Sequence, residues 1–219
     1  MKFGERIAGM FMKPDDTTKD IVNEPRIEEG LLIVGIYMIL LIIGAYLTFS
    51  RISYIGELQG VSASMVATIA LISGLIVVIF ESLIGWPILT GVVHLLTMFF
   101  GGAGKLYPHM MALIGYTALP LILVSIISIL LAIIMPGTGT TVDISGATRA
   151  TTENVLSNPA AIIGLIVTLA GSLWTAYMMA FAVKNGEKIS MNSAYIVVGV
   201  LFIVNLVLTF GSVALSFLG

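Results

Sequence analysis

The sequence predicts an all-α membrane protein, a five-span helical bundle with a bent or broken second span. Three observations carry this expectation: a mean hydropathy of +1.08, 58% hydrophobic residues against 10% charged ones, and a succession of long apolar runs. A soluble domain averages about 25% charged residues, so this composition calls for lipid around most of the surface. In hydrocarbon every backbone N–H and C=O must be bonded within the structure, which helices and closed barrels achieve. The runs lack the alternating polarity of barrel strands, so they are read as helices.

Residues 1–29 precede the first run and contain no apolar stretch of signal-peptide length, so the segment is expected to be retained in the cytosol. On a helical wheel Phe3, Ile7, Met10 and Phe11 share one face, and Lys2, Arg6 and Lys13 gather on another. That pattern describes a possible interfacial helix on anionic headgroups. Residues 14–29 are acidic and polar, with Asp15 or Asp16 placed to cap a short helix. The segment is expected to form a cytosolic collar or binding piece, apart from a membrane domain over 30–219.

A span needs about 20 apolar residues at about 1.5 Å each. Residues 30–49 meet this without a charge. The next tract, 65–100, is interrupted only by Glu81, Pro87 and His94. As one helix it would be about 54 Å long, well beyond a hydrocarbon core of about 30 Å. A break is expected at Gly85-Trp86-Pro87, because proline removes a donor and clashes with the preceding turn. Residues 92–100 are then a cytosolic helix extension or a shallow re-entrant segment. Further spans are expected at 109–135, 159–183 and 193–218, with a solvated outer loop over 136–158.

Loop charges set the orientation. Lys2, Arg6, Lys13, Lys19 and Arg26 precede the first span, and Arg51 follows it. Lys105 follows the long tract, Arg149 sits in the 136–158 loop, and Lys184 and Lys188 precede the last span. With five crossings and the N-terminus inside, eight of these ten charges are cytosolic; splitting the tract at Pro87 into two spans leaves six. The expectation is an integral membrane protein, in the cell membrane if prokaryotic, with its N-terminus cytoplasmic and Gly219 outside.

Several function classes fall away. The formal net charge is −2 and no basic stripe exists, which excludes a nucleic-acid surface. Without cysteine there is no disulfide, Cys-zinc site or thiol chemistry. Gly101-Gly102-Ala103-Gly104-Lys105 lacks P-loop spacing and a preceding strand, so it reads as a surface turn. Glu81, His94 and His109 are the candidate metal ligands, but on an unbroken helix Glu81 and His94 would face apart. No Ser/His/Asp set has supporting spacing, so neither catalysis nor a cofactor is expected. Ser172, Ala176 and Ala180 form a close-packing stripe, beside Trp174, Tyr177 and Phe181. Glu81 is expected to turn toward the interior or the cytosolic water with a polar partner, with Trp86 as an interface anchor.

The turn Gly101-Gly102-Ala103-Gly104, followed by Gly115-Tyr116-Thr117-Ala118-Leu119-Pro120 in the third span, resembles the centre of the Yip family of Ypt/Rab-interacting membrane proteins. That family pattern is a glycine-rich turn and then Gly-Tyr-x-x-Leu-Pro. The resemblance extends over most of the chain and implies five spans, a cytosolic N-terminus and, in eukaryotic members, a link to vesicle traffic and prenylated small GTPases. The chain lacks the Asp-Leu-Tyr-Gly-Pro stretch of eukaryotic members. With Asn23-Glu24-Pro25-Arg26 just before the first span, it is more similar to prokaryotic ones. In its own right Pro120 leaves the Tyr116 carbonyl without a donor, which predicts a kink over 115–120.

Two readings of function follow. One is a non-enzymatic membrane protein that organises membranes or recruits partners. Its partners would be membrane lipid, proteins reached through the cytosolic N-terminus, and a possible second copy of the chain. The other is a small channel or transporter with a path near Glu81, His94 and the kinked third span.

Overall fold

The computed structural model describes residues 1–58, 60–135, 141–143 and 159–215. Two short helices, α1 (Phe3–Met12) and α2 (Pro14–Asn23), lead into α3 (Ile27–Phe49). Two short strand pairs follow the spans: β1 (Ser53–Ile55) runs parallel to β4 (Thr141–Asp143), and β2 (Glu57–Leu58) is antiparallel to β3 (Val61–Ser62). The remaining helices are α4 (Ala63–Met98), a π-helical turn at Leu106–Met110, α5 (Met111–Tyr116), α6 (Leu119–Ile134), α7 (Pro159–Glu187) and α8 (Met191–Leu215). Among the described residues, five helical segments are long and apolar enough to cross a membrane: Ile27–Phe49, Ala63–Met98, Leu106–Ile134, Pro159–Glu187 and Met191–Leu208. The all-α membrane fold is therefore as the sequence predicts. The expected 136–158 loop, apart from β4, and Gly219 lie outside the described residues.

Local chemistry explains the ends of these elements. Glu5 returns its carboxylate to the Lys2 N–H at 2.9 Å, one half of a capping box. Pro14 occupies the first turn of α2, where its missing N–H costs nothing. Neither Asp15 nor Asp16 caps α2 as expected, because Asp15 is taken by partners further along the chain. Glu28 and Glu29 stand in the first turn of α3, where the helix dipole favours carboxylates.

Two sequence expectations about bends meet different outcomes. α4 continues as one helix from Ala63 to Met98 with Pro87 inside: Pro87 leaves the Leu83 carbonyl without its helical donor, but Gly85-Trp86-Pro87 does not end the helix. The 92–98 stretch is accordingly an extension of that helix. The third span is interrupted, between α5 and α6. There Thr117 and Ala118 donate to Ile114 and Gly115 at 3.1 and 3.2 Å, bonds three residues back instead of four. Pro120 withholds the donor that would have continued the α pattern onto Tyr116.

The chain divides into two compact units. The first holds residues 1–34, 85–120 and 171–219, and so gathers the N-terminal helices with the 99–105 turn and the α7–α8 junction. Residues 1–29 pack within this unit. Its core includes Met10, Ile21, Ile33, Met110, Leu113, Met178 and Val197. The second unit, residues 35–84 and 121–170, buries only Ser82 and Ser125 among the described residues. Its large apolar side chains, such as Ile39, Phe80 and Ile166, are exposed, which suits contact with lipid.

Candidate functional site

The chemistry of this chain is concentrated in the first unit, where charged side chains sit among apolar ones. Arg6 is fully buried. Its Nε donates to Asp20 Oδ2 at 2.8 Å, Nη1 to Glu29 Oε2 at 2.9 Å and Nη2 to the Glu24 carbonyl at 3.1 Å. Burial alone would lower the Arg6 pKa, but the hydrogen bonds to Glu29 and Asp20 raise it, so the group stays charged. Arg26 Nη1 reaches Glu29 Oε1 at 3.3 Å, and the Tyr116 hydroxyl donates to Glu29 Oε2. One carboxylate therefore takes two guanidiniums and a phenol, which satisfies charges that would otherwise be costly to bury. The network ties α1, α2, the start of α3 and the end of α5 together. This overturns the headgroup-facing role expected for Arg6.

A second weld joins α2 to the end of α7. Lys184 Nζ lies 2.7 Å from Asp15 Oδ1, and Asn185 Nδ2 donates to Asp15 Oδ1 at 3.0 Å and Thr18 Oγ1 at 2.7 Å. Lys19 adds an ion pair at 2.5 Å. Hydrogen bonds from Lys184, then Lys19 and Asn185, hold the Asp15 carboxyl far below the usual carboxylate range. Above it, Phe11 meets Trp174 edge-to-face with ring centroids 5.3 Å apart.

The third contact closes the glycine-rich turn onto α7. His94 Nδ1 lies 2.7 Å from Oε1 of the fully buried Glu187. The Gly104 N–H donates to Glu187 Oε2 at 3.2 Å, and the Ala103 N–H to the Glu187 carbonyl at 3.0 Å. A Cβ on Gly104 would come 2.2 Å from the Gly186 carbonyl oxygen, so only glycine fits. Gly101 turns the chain at φ 77°, and a Cβ on Gly102 would meet Thr97 at 2.9 Å. Trp86 Nε1 donates to the Met111 carbonyl at 3.2 Å, so this anchor is bonded to protein.

Of the residues singled out from the sequence, His94, Gly101, Gly102, Gly104, Gly115 and Tyr116 all lie in this unit. Gly115 packs on Gly30, where a Cβ would sit 2.6 Å from the Gly30 Cα. Pro120 lies in the first turn of α6. Glu81 is exposed in the second unit, and its side chain makes no hydrogen bond or ion pair among the described residues. Ala180 is fully buried and Ser172 and Ala176 half-buried, while Trp174 and Tyr177 are exposed, consistent with a packing stripe beside outward-facing aromatics. Sequence reasoning missed Glu29, Glu187, Asp15 and Lys184. The signal available was position: Glu29 and Glu187 are acids inside the terminal turns of apolar helices. No group of three His, Cys, Asp or Glu side chains able to hold a metal occurs among the described residues.

A multi-span helical membrane protein, its span ends sealed by buried ion pairs around a glycine-rich turn and a broken third span, is the class these features define. The chain belongs to the Yip family: the model of the Yip1 domain matches residues 8–212. No curated protein and no solved structure matches it. The family is one of non-enzymatic membrane proteins, and this chain is an integral membrane protein with lipid against its spans.

Proposed function

We propose that the protein is a non-enzymatic organiser of the membrane that recruits protein partners through its N-terminal helices, on the cytosolic side. The observation that carries this reading is the docking of α1 and α2 onto the span ends by the Arg6–Glu29–Tyr116 and Asp15–Lys184–Asn185 contacts. A rigidly held polar cap costs little ordering entropy when a partner binds. The charge count supports the cytosolic assignment. The N-terminus, the 99–105 turn and the 184–190 junction, which that count assigns to one side, share one compact unit.

A photo-crosslinking amino acid placed at Met12, 82% exposed, tests the proposal in native membranes. A discrete protein adduct is expected, lost when Arg6→Ala undocks α1. Absence of any adduct, together with Glu81-dependent solute flux in liposomes, would establish the channel reading instead.

A further inference from the structure

The first unit contains a cluster of basic side chains that none of these welds uses. Lys105 follows Gly104 directly, and Lys188 follows Glu187, so the contacts of Ala103 and Gly104 with Glu187 bring together the two stretches of chain that carry these lysines. Lys188 closes α7 in a left-handed conformation at φ 58°. His109 belongs to the π-helical turn that starts beside Lys105. The Met110 N–H bonds the Lys105 carbonyl at 3.2 Å, and Met110 packs against Gly186. The side chains of Lys105 and Lys188 are exposed and make no hydrogen bond or ion pair among the described residues, in contrast to those of Lys19 and Lys184. Nδ1 of His109 is buried without a partner. Glu187, the acid next to Lys188 in the chain, is already committed to His94 and Gly104.

We infer that Lys105, His109 and Lys188 form a binding site for a phosphate-bearing anion, supplied by the headgroup of an acidic phospholipid. Two cationic side chains on adjoining stretches of chain, neither neutralised by an acid among the described residues, favour an anion that both can reach. Both lysines are donors without acceptor character, and an imidazole N–H adds a third donor, which matches the several acceptor oxygens of a phosphate. The membrane origin of the ligand follows from the surroundings. Phe99 is 86% and Tyr107 66% exposed on either side of the turn, and a turn between two spans lies at a bilayer surface, where aromatic side chains favour the headgroup level. Acidic headgroups attract such lysines. The inference concerns lipid and stands whether or not the N-terminal helices recruit a protein.

The full chain in a neutral detergent is titrated with dioctanoyl phosphatidic acid, dioctanoyl phosphatidylcholine and inorganic phosphate, with binding read by native mass spectrometry. One phosphatidic acid per chain is expected, and the double variant Lys105→Gln/Lys188→Gln should weaken it by about tenfold or more. The Lys105→Arg/Lys188→Arg pair should retain it, as should Lys2→Gln/Lys13→Gln, which removes exposed lysines elsewhere. Displacement of the lipid by inorganic phosphate at matched concentration would support the site while transferring its ligand to solution. Equal binding in the Lys105→Gln/Lys188→Gln variant with an unchanged melting temperature overturns the site. So does an equal loss in the Lys2→Gln/Lys13→Gln variant, or phosphatidylcholine binding as tightly.

Discussion

Arg6 shows how a single side chain can decide the state of a whole segment. It is fully buried, and Asp20, Glu24 and Glu29 all converge on it. Removing one member of a buried ion-pair group leaves the others desolvated and unpaired, at about 3–5 kcal/mol. Arg6→Ala should therefore lower the unfolding midpoint in detergent and open residues 1–26 to protease; an unchanged midpoint would mean that the network is ornamental. Tyr116→Phe removes one donor from Glu29 while both arginines remain, so a smaller loss of about 1–3 kcal/mol is expected in the same melt. Asp15 gives the pH dependence. Its folded pKa is depressed, so its contribution is fully present above the unfolded value of about 3.9 and fades as pH falls through the lower folded value. Protease resistance of α2 should hold from neutral pH to about pH 4 and weaken only below it; loss between pH 7 and 5 would assign the docking to another group.

At the scale of elements, the glycines separate into those the packing requires and those it does not. Gly115→Ala would drive a Cβ to 2.6 Å from the Gly30 Cα, which is backbone and cannot turn aside. A loss of about 1–3 kcal/mol is expected as α3 and α5 separate. Gly35→Ala, on α3 with nothing within 4 Å, meets no clash and gains helix propensity, so its stability should equal the parent's or exceed it by up to about 1 kcal/mol. Equal losses at both positions would refute the close-packing account. The spans themselves were readable because hydrocarbon forces long apolar runs. The interruption near Pro120 was readable because a missing donor is a local property. Pro87 shows the limit of that logic, since α4 absorbs it without breaking. In the polar welds the acids were marked by position, but their pairing was not readable. Arg6 and Glu29 are 23 residues apart, His94 and Glu187 93, and Asp15 and Lys184 169, so no periodicity links them. For the same reason Arg6 fell on the basic face of α1 when the helix was considered alone.

For the molecule as a whole, the open quantity is which side of the membrane carries the first unit. Positive charge argues for the cytosol, since eight of the ten lysines and arginines lie in the N-terminal segment, the 99–105 turn and the 184–188 stretch. Six crossings would move Lys105 to one side of the membrane and the N-terminus to the other. That is incompatible with one compact unit in which Asp15 bonds Lys184 and Ala103 bonds Glu187. An odd number of crossings keeps these pieces together, and the absence of cysteine allows it to be tested directly. Single cysteines are best placed at exposed positions: Asp16, whose side chain is 75% exposed, and Glu57 in β2, with one span between them. In sealed cells an impermeant maleimide should label Glu57→Cys and spare Asp16→Cys, and in inside-out vesicles the pattern should reverse. The reverse pattern in intact cells would invert the orientation and place α1 and α2 outside, away from any cytosolic partner. Labelling of both positions from one side would remove the crossing by α3, and with it the five-span arrangement.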